Sequence, residues 1–208
     1  FKLSLIFICF SFLSLYIIGY IEPGTKLSTS GFGIYKANLA TFFDSNDLWS
    51  NIFSDIKSVE GEHEGFAFLG SGIIFLLITT IFISFYKKKS INLNKILGLK
   101  YILIISILLF ILALSNNIHL SNIDLIYIDL PKFIEKIFGI IRASGRMVWI
   151  PFYLIYILIF IVINSFDDKK LWRIIIFLAL TVNVIDLNKV SNLFIMKTGD
   201  INIHYKKV

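Results

Sequence analysis

The sequence lacks the residues and motifs on which many soluble enzymes and secreted domains depend. It has a single cysteine, Cys9, so it cannot form an internal disulfide. It contains no P-loop, no CxxC pair and no HExxH sequence. It therefore lacks the motifs by which phosphate-binding loops, thiol redox sites and zinc peptidases are usually identified. Only 16% of its residues are charged, against roughly 25% in an average soluble domain. The composition therefore argues against an ordinary soluble enzyme.

The formal net charge of +6 does not indicate nucleic acid binding, because the lysines stand beside apolar runs. Lysines in that position act as topology signals and as anchors to lipid headgroups. The partner that the charge pattern predicts is a lipid bilayer, and no nucleic acid is expected.

Long apolar runs dominate the chain, of which 57% is hydrophobic. A hydrocarbon core about 30 Å thick is crossed by roughly 20 helical residues, and the backbone in lipid must satisfy its own hydrogen bonds. The runs predict an all-α membrane protein with about five transmembrane helices, and a multi-pass location in the inner (plasma) membrane of a bacterium. The predicted spans are 3–20, 66–86, 96–114, 147–163 and 171–187.

These spans define a transmembrane domain, 1–187, with outer loops at 21–65 and 115–146. The lysine-rich turn 87–89 is expected on the cytoplasmic side, which places both long loops outside. The segment 188–208 is expected to be an outward-facing tail at the start of a further region, so that the chain is a fragment of a longer protein.

One outer segment has the pattern of a short amphipathic helix, at 129–142. Asp129 is suited to cap it and Pro131 to its first turn. Its broad apolar face predicts that it lies flat in the membrane interface.

An acidic cluster, Glu60–Gly65, precedes the second span and supplies Glu62, His63 and Glu64. Carboxylate oxygens suit a divalent cation such as Mg²⁺, Mn²⁺ or Ca²⁺, and a carboxylate or imidazole can also act as a general base. The alternative is a solvated acidic loop at the membrane surface. The sequence leaves both readings open.

A basic cluster, Arg142, Ser144 and Arg146, opens the fourth span on the outer side. Arginine matches phosphate with paired donors, so the cluster predicts contact with a lipid phosphate. The alternative is that the arginines only reach up to lipid headgroups.

Three further features of the sequence predict smaller roles or none. Asn183 and Asp186 form a polar pair near the outer end of the last span, which is either functional or simply hydrated. The small residues 70–72 predict close helix packing. His119 and His204 stand alone in expected loops, and no role is predicted for them.

Four of these stretches together resemble a family of bacterial polytopic membrane proteins of unknown function. The resembling segments are 30–39, 64–70, 142–146 with Trp149 and Pro151, and 184–187. The chain departs from the family pattern at Phe68, where tyrosine is usual, and at Asn183, where glutamine is usual.

That family in turn resembles the GT-C superfamily of multispanning glycosyltransferases. The resemblance implies transfer of a sugar from a polyprenyl-phosphate donor to a cell-envelope acceptor, with the catalytic acid outside this chain. Arg142, Ser144 and Arg146 would then bind the lipid phosphate, and Glu62, His63 and Glu64 would lie on the acceptor or metal side. The alternative is a non-catalytic membrane component for assembly or transport of envelope material. A lipid-linked saccharide flippase is the weakest reading, because few polar residues occur deep in the spans.

Overall fold

The computed structural model describes residues 2–17, 31–87 and 98–187. Within these ranges the chain forms six α-helices, two 3-10 turns and one β-hairpin. The helices are α1 (Lys2–Ile17), α2 (Ser71–Tyr86), α3 (Leu99–Leu114), α4 (Lys132–Phe138), α5 (Trp149–Asn164) and α6 (Lys169–Asp186). The strands are β1 (Asn117–Leu120) and β2 (Ile123–Tyr127), and the 3-10 turns are Glu62–Gly65 and Ser144–Val148.

The fold class predicted from the sequence, an all-α protein with about five transmembrane helices, is wrong. Helices do lie at the five apolar runs, but only one helical segment in the described ranges, Ser144–Asn164, is long and apolar enough to span a membrane. Helices α2 and α3 have 16 residues each, which gives about 24 Å of length against a hydrocarbon core of about 30 Å. The predicted second span includes Phe66–Leu69, which lie in extended backbone before α2 and not in the helix.

The hairpin β1–β2 is the second departure from the all-α prediction. Its strands are antiparallel, and the register slips between Ile118 and His119. Such a bulge redirects the side chains that follow it. Here it leaves His119 opposite Asp124.

Helices α2, α5 and α6 pack around one apolar core that contains Leu76, Ile159 and Trp172. The predicted role of the small residues 70–72 is confirmed, because a Cβ added to Gly72 would lie 2.3 Å from the carbonyl oxygen of Ala179. Only glycine lets α2 approach the backbone of α6 this closely.

The helices run so that the long loops gather at one end of the bundle, called the loop end here. Helices α2 and α5 begin there, and α3 and α6 finish there. At the opposite end Lys87 lies 5.8 Å from the ring centroid of Phe166, in the α5–α6 connection. Lys87 and Arg146 are therefore at opposite ends of α5, while Lys88 and Lys89 lie outside the described residues.

The amphipathic helix predicted over 129–142 is shorter than expected. Helix α4 begins at Lys132, directly after Pro131, and finishes at Phe138. The ring of Phe138 stacks on that of Phe32 at 5.1 Å, which joins this helix to the loop 31–39. The predicted tail 188–208 lies outside the described residues.

Candidate functional site

Three chain segments meet at the loop end: the loop 31–39 and the two 3-10 turns. The amide of Gly145 donates to the carbonyl of Tyr35 at 3.0 Å. A Cβ on Gly145 would lie 2.8 Å from the amide nitrogen of Gly65, and a Cβ on Gly65 would lie 2.4 Å from the Cα of Ala37. These glycines allow three backbones to stack in contact, which brings together charged residues far apart in the sequence.

The exposed side of this junction carries a basic rim, made of His63, Arg142 and Arg146 around Glu64. The Nε of Arg146 donates to Oε2 of Glu64 at 2.7 Å. The guanidinium of Arg142 lies 5.8 Å from the ring centroid of Tyr35, and His63 meets the same ring edge-on at 6.2 Å. Tyr35 thus lies between the side chains of Arg142 and His63.

The basic rim has an excess of positive charge. The hydrogen bond from Arg146 lowers the pKa of Glu64, and the nearby charges of Arg146, His63 and Arg142 lower it further. Glu64 therefore stays ionised, yet its one negative charge faces two arginines. The side chain of Arg146 is 63% exposed, so its guanidinium has room for a second anionic partner.

Two of the residues predicted for this site are buried instead. Ser144 is 0% exposed, and its Oγ donates to the carbonyl of Tyr35 at 3.4 Å, so it fastens the second 3-10 turn rather than facing a ligand. Glu62 turns inward, where its Oε2 accepts from Asn38 Nδ2 at 2.9 Å and from the amide of Val59 at 3.0 Å. Of the six predicted residues, Arg142, Arg146, His63 and Glu64 share the accessible surface.

His119, for which no role was predicted, is buried in a charged quartet with Lys36, Glu62 and Asp124. Its Nδ1 lies 2.9 Å from Oε1 of Glu62, and its Nε2 lies 2.6 Å from Oδ1 of Asp124. The Nζ of Lys36 lies 3.0 Å from the same Nε2. The Nδ1–Oε1 contact has ion-pair distance without hydrogen-bond alignment.

A sequence signal for the quartet was present but weak. The run Ile123–Tyr127 is rich in strand-forming residues and follows the turn-forming pair Ser121–Asn122, which is a pattern typical of a hairpin. A hairpin there would have placed His119 and Asp124 on neighbouring strands. His204 lies outside the described residues.

Asp186 is not simply hydrated, since it is 1% exposed. Its carboxylate accepts from the hydroxyl of Ser50 at 2.7–2.8 Å and from the amides of Asn51 and Ile52 at 2.7 and 2.9 Å. Asn183 accepts weakly from the amide of Gly72 at 3.4 Å. The polar pair therefore ties the loop around 50–52 to the start of α2 and the end of α6.

Two aromatic grooves adjoin the extended segment Phe66–Leu69. One has a volume of about 370 Å³, and its lining includes Trp49, Phe66, Phe68, Tyr156 and Asn183. The other has a volume of about 170 Å³ and is lined by Phe66, Ala67, Phe68, Trp149, Phe152 and Tyr153. Trp149 lies one helical turn beyond Arg146, so the smaller groove begins beside the basic rim.

Residues 2–188 match the model of a family described as a domain of unknown function, DUF6311. The chain belongs to the DUF6311 family. Comparison with curated proteins and with solved structures gives no match. The DUF6311 match takes in the basic rim, the charged quartet and both aromatic grooves.

Within the described part of this DUF6311 chain, no three His, Cys, Asp or Glu side chains are grouped so as to hold a metal ion. The predicted acidic cluster is divided by burial, because Glu62 points into the quartet while Glu64 pairs with Arg146. What the accessible arrangement offers chemically is an anion site: two guanidinium groups, an imidazole and adjacent apolar grooves.

Proposed function

We propose that the protein is a membrane-embedded transferase of the GT-C type, which moves a sugar from a polyprenyl-phosphate donor to a cell-envelope acceptor. In this proposal Arg142 and Arg146 bind the donor phosphate. His63 and Glu64 lie on the acceptor side. The catalytic acid is expected to come from outside the described residues.

The observation that carries the proposal is the position of the basic rim at the start of Ser144–Asn164, the segment able to span a membrane. If this helix crosses the bilayer, Arg146 stands at the level of the lipid headgroups. Phosphate is the anion of that layer, and arginine binds it with paired donors. An excess of positive charge there therefore favours a phosphate-bearing lipid over a neutral ligand.

The aromatic grooves support a lipid rather than a free phosphate as ligand. The smaller groove begins beside the rim and is open, since its lining residues Trp149 and Tyr153 are 52% and 60% exposed. An isoprenoid chain attached to a phosphate on Arg146 would cover these rings. Burying apolar surface contributes roughly 25 cal/mol per Å², so a chain adds affinity that a phosphate alone lacks.

A multi-pass location in a bacterial inner membrane is also part of the proposal. Large apolar side chains cover the outer faces of α2, α3 and α6, including Phe82, Phe85, Ile107, Phe177 and Val184 at 59–80% exposure. Apolar patches of this extent on a folded protein mark contact with a membrane or a partner. The loop end carries the polar groups, which fits contact with water there.

The test is binding of a polyprenyl phosphate to the full-length protein in lipid nanodiscs, with Arg142→Ala and Arg146→Ala variants. Each substitution removes one charge-assisted contact and is expected to weaken binding by about tenfold or more. The matched control is Arg173→Ala, which removes an exposed arginine at the opposite end of the bundle. Wild-type affinity in both rim variants would remove the phosphate role.

A second candidate, a non-catalytic component that docks partners, is favoured by the hairpin. All five residues of β2 are exposed, including Ile123 and Tyr127 at 60% and 68%. An exposed apolar edge strand is a template for pairing with another chain. This candidate predicts that Leu125→Lys abolishes complex formation while Arg146→Ala leaves it intact, as measured by co-purification.

A further inference from the structure

Another groove runs between α2 and α5, in the half of the bundle away from the loop end, and is called the α2–α5 groove here. It has a volume of about 260 Å³, and its lining includes Leu77, Thr80, Ser84, Phe85, Ile155 and Val162. Helices α2 and α5 both begin at the loop end. Leu77 and Ile155 therefore lie nearest the loop end, and Phe85 and Val162 lie farthest from it. The groove follows the helix axes and is separate from the basic rim.

The walls of the α2–α5 groove are apolar. The Oγ of Ser84 donates to the carbonyl of Thr80 at 2.7 Å, and Thr80 itself is only 4% exposed, so neither hydroxyl makes the groove polar. On its open side Ile81 and Phe85 are 48% and 80% exposed. A surface of this kind favours hydrocarbon over a polar ligand.

The length of the α2–α5 groove fits one leaflet of a bilayer. Residues 77–85 cover about 12 Å of α2 at 1.5 Å per residue, and half of a hydrocarbon core measures about 15 Å. A helix about 10 Å across would occupy roughly 900 Å³ over the same length, which is far more than the groove offers. An acyl chain, which is a single file of methylene groups, fits this space better than a partner helix.

A lysine stands at the end of the groove farthest from the loop end. Lys87 follows directly after α2, and its Nζ lies 5.8 Å from the ring centroid of Phe166. Phe166 comes four residues after Val162, so the ammonium lies beside the last residues of the groove. Lys87 is exposed, and its contact with the ring face leaves its donors able to bind an anion.

The described charges around this end of the bundle are mostly positive. They are Lys87, Lys169, Lys170 and Arg173 against Asp167 and Asp168. The carboxylate of Asp168 also accepts from the amide of Leu171 at 3.1 Å, where it caps α6. An excess of cations at a membrane surface favours a headgroup with net negative charge over a zwitterionic one.

We propose that the α2–α5 groove binds one anionic phospholipid of the leaflet opposite the loop end. One acyl chain lies between α2 and α5, and the headgroup phosphate pairs with the ammonium of Lys87. This inference rests on the membrane location that is part of the proposed function. It does not rest on the transfer reaction, because it uses neither the basic rim nor the aromatic grooves.

The first experiment locates the lipid directly. Phosphatidylglycerol with a photoreactive diazirine in one acyl chain is mixed into nanodiscs that hold the full-length protein. After illumination, mass spectrometry should find the label on residues 77–85 and 155–162 about threefold more often than on exposed residues of α3 and α6, an enrichment typical of one exposed ion pair. Even labelling of all exposed apolar faces would overturn the proposal. Labelling that avoids the groove would mean that a partner helix fills it, which would also overturn the proposal.

The second experiment tests Lys87. Native mass spectrometry of the detergent-solubilised full-length protein compares retention of phosphatidylglycerol and phosphatidylcholine with the same acyl chains. Wild type should retain the anionic lipid about threefold more strongly, and Lys87→Gln should retain both equally. The matched control is Lys170→Gln, which removes an exposed lysine at the same end and should keep the preference. An equal loss of preference in both variants would mean diffuse attraction and would overturn the site.

A third comparison fills the groove. Ser84→Phe places a ring between α2 and α5 and should lower retention of both lipids by at least about threefold, because the acyl chain loses its wall contacts. Ile78→Phe is the control, since Ile78 is 61% exposed and lies outside the groove lining. Undiminished retention in Ser84→Phe would overturn the proposal. The labelling and the wild-type comparison need no variant, so they decide the matter even if Ser84→Phe fails to fold.

Failure of this inference and failure of the proposed function are distinguishable. If the groove is labelled while Arg142→Ala and Arg146→Ala bind polyprenyl phosphate like wild type, only the proposed function fails. If those variants lose binding while the label is spread evenly, only the α2–α5 lipid site fails.

Discussion

Glu62 and Glu64 stand two residues apart in one 3-10 turn, yet they occupy opposite kinds of environment. The side chain of Glu62 is 1% exposed and belongs to the charged quartet, whereas that of Glu64 is 26% exposed and pairs with Arg146 at the surface. A buried ion pair that loses one partner leaves a charge without solvent, but an exposed pair exchanges its partner for water or a ligand. The comparison separates groups that hold the loop end together from groups free to bind.

The largest effect is expected from Glu62→Gln, which removes the buried negative charge next to His119 and Lys36. Breaking a buried pair costs about 3–5 kcal/mol, because the remaining charges stay desolvated. The free energy of unfolding of the detergent-solubilised protein, measured by chemical denaturation, should fall by that amount. Glu60→Gln is the matched control, since Glu60 is exposed in the same loop. Equal stability of the two variants would contradict the structural role of the quartet.

A smaller loss is expected from Asp186→Asn, at another buried carboxylate of the loop end. The amide has one acceptor oxygen in place of two, so a hydrogen bond from Ser50, Asn51 or Ile52 becomes unsatisfied. Leaving one buried polar group unpaired costs about 1–3 kcal/mol. Asp55→Asn, at an exposed position of the same loop, should change the unfolding free energy little. A thermal shift assay that ranks the two variants the other way round would exclude this account of Asp186.

For Glu64, the exposed glutamate of the two, substitution is expected to increase ligand affinity and to cause little loss of stability. Glu64→Gln removes the anion that competes for Arg146, so affinity for a polyprenyl phosphate should rise by about threefold, while the melting temperature shifts by less than about 2 °C. Binding to nanodiscs and thermal melting measure the two quantities. Weaker binding in this variant would mean that Glu64 holds Arg146 in place for the ligand.

The smallest expected effect is the contribution of Glu64 to the pH dependence of stability. The hydrogen bond from Arg146 lowers the pKa of Glu64 below its ordinary value of 4.5. The Glu64–Arg146 pair therefore contributes fully to stability when the pH is above the pKa of Glu64 in the unfolded chain. This contribution is lost as the pH falls through the lower pKa of Glu64 in the folded protein. The stability of wild type should decline slightly more than that of Glu64→Gln in this acidic window. If the two proteins lose stability equally as the pH falls, the pairing of Glu64 with Arg146 in solution is disproved.

The apolar runs of the sequence located helices because such runs are a local signal, but they overstated the number of membrane-spanning helices and missed the hairpin. Phe66–Leu69 shows the limit of this reasoning, since its apolar residues line grooves in extended backbone instead of continuing α2. The sequence singled out Arg142 and Arg146 as phosphate ligands because they stand together on one side of an apolar run; both are exposed, and their ligand stays a prediction. Arginine needs no partner to remain at a surface.

The charged quartet could not be predicted in the same way. It joins Lys36, Glu62, His119 and Asp124 from four separate segments, and its geometry depends on the bulge beside His119 and on glycines that let three backbones touch. No local pattern reports which of two neighbouring glutamates turns inward. Burial is a property of the assembled loop end, so Glu62 and Ser144 were assigned to the ligand side although they hold the fold.

The most direct test of the lipid-phosphate site is native mass spectrometry of the full-length wild-type protein with a polyprenyl phosphate and the polyprenol of equal chain length. Both ligands can fill the aromatic grooves, but only the first can pair with Arg142 and Arg146. The account predicts that the phosphate form is retained at least about tenfold more strongly. Equal retention of the two lipids would contradict it, because the basic rim would then contribute nothing to binding.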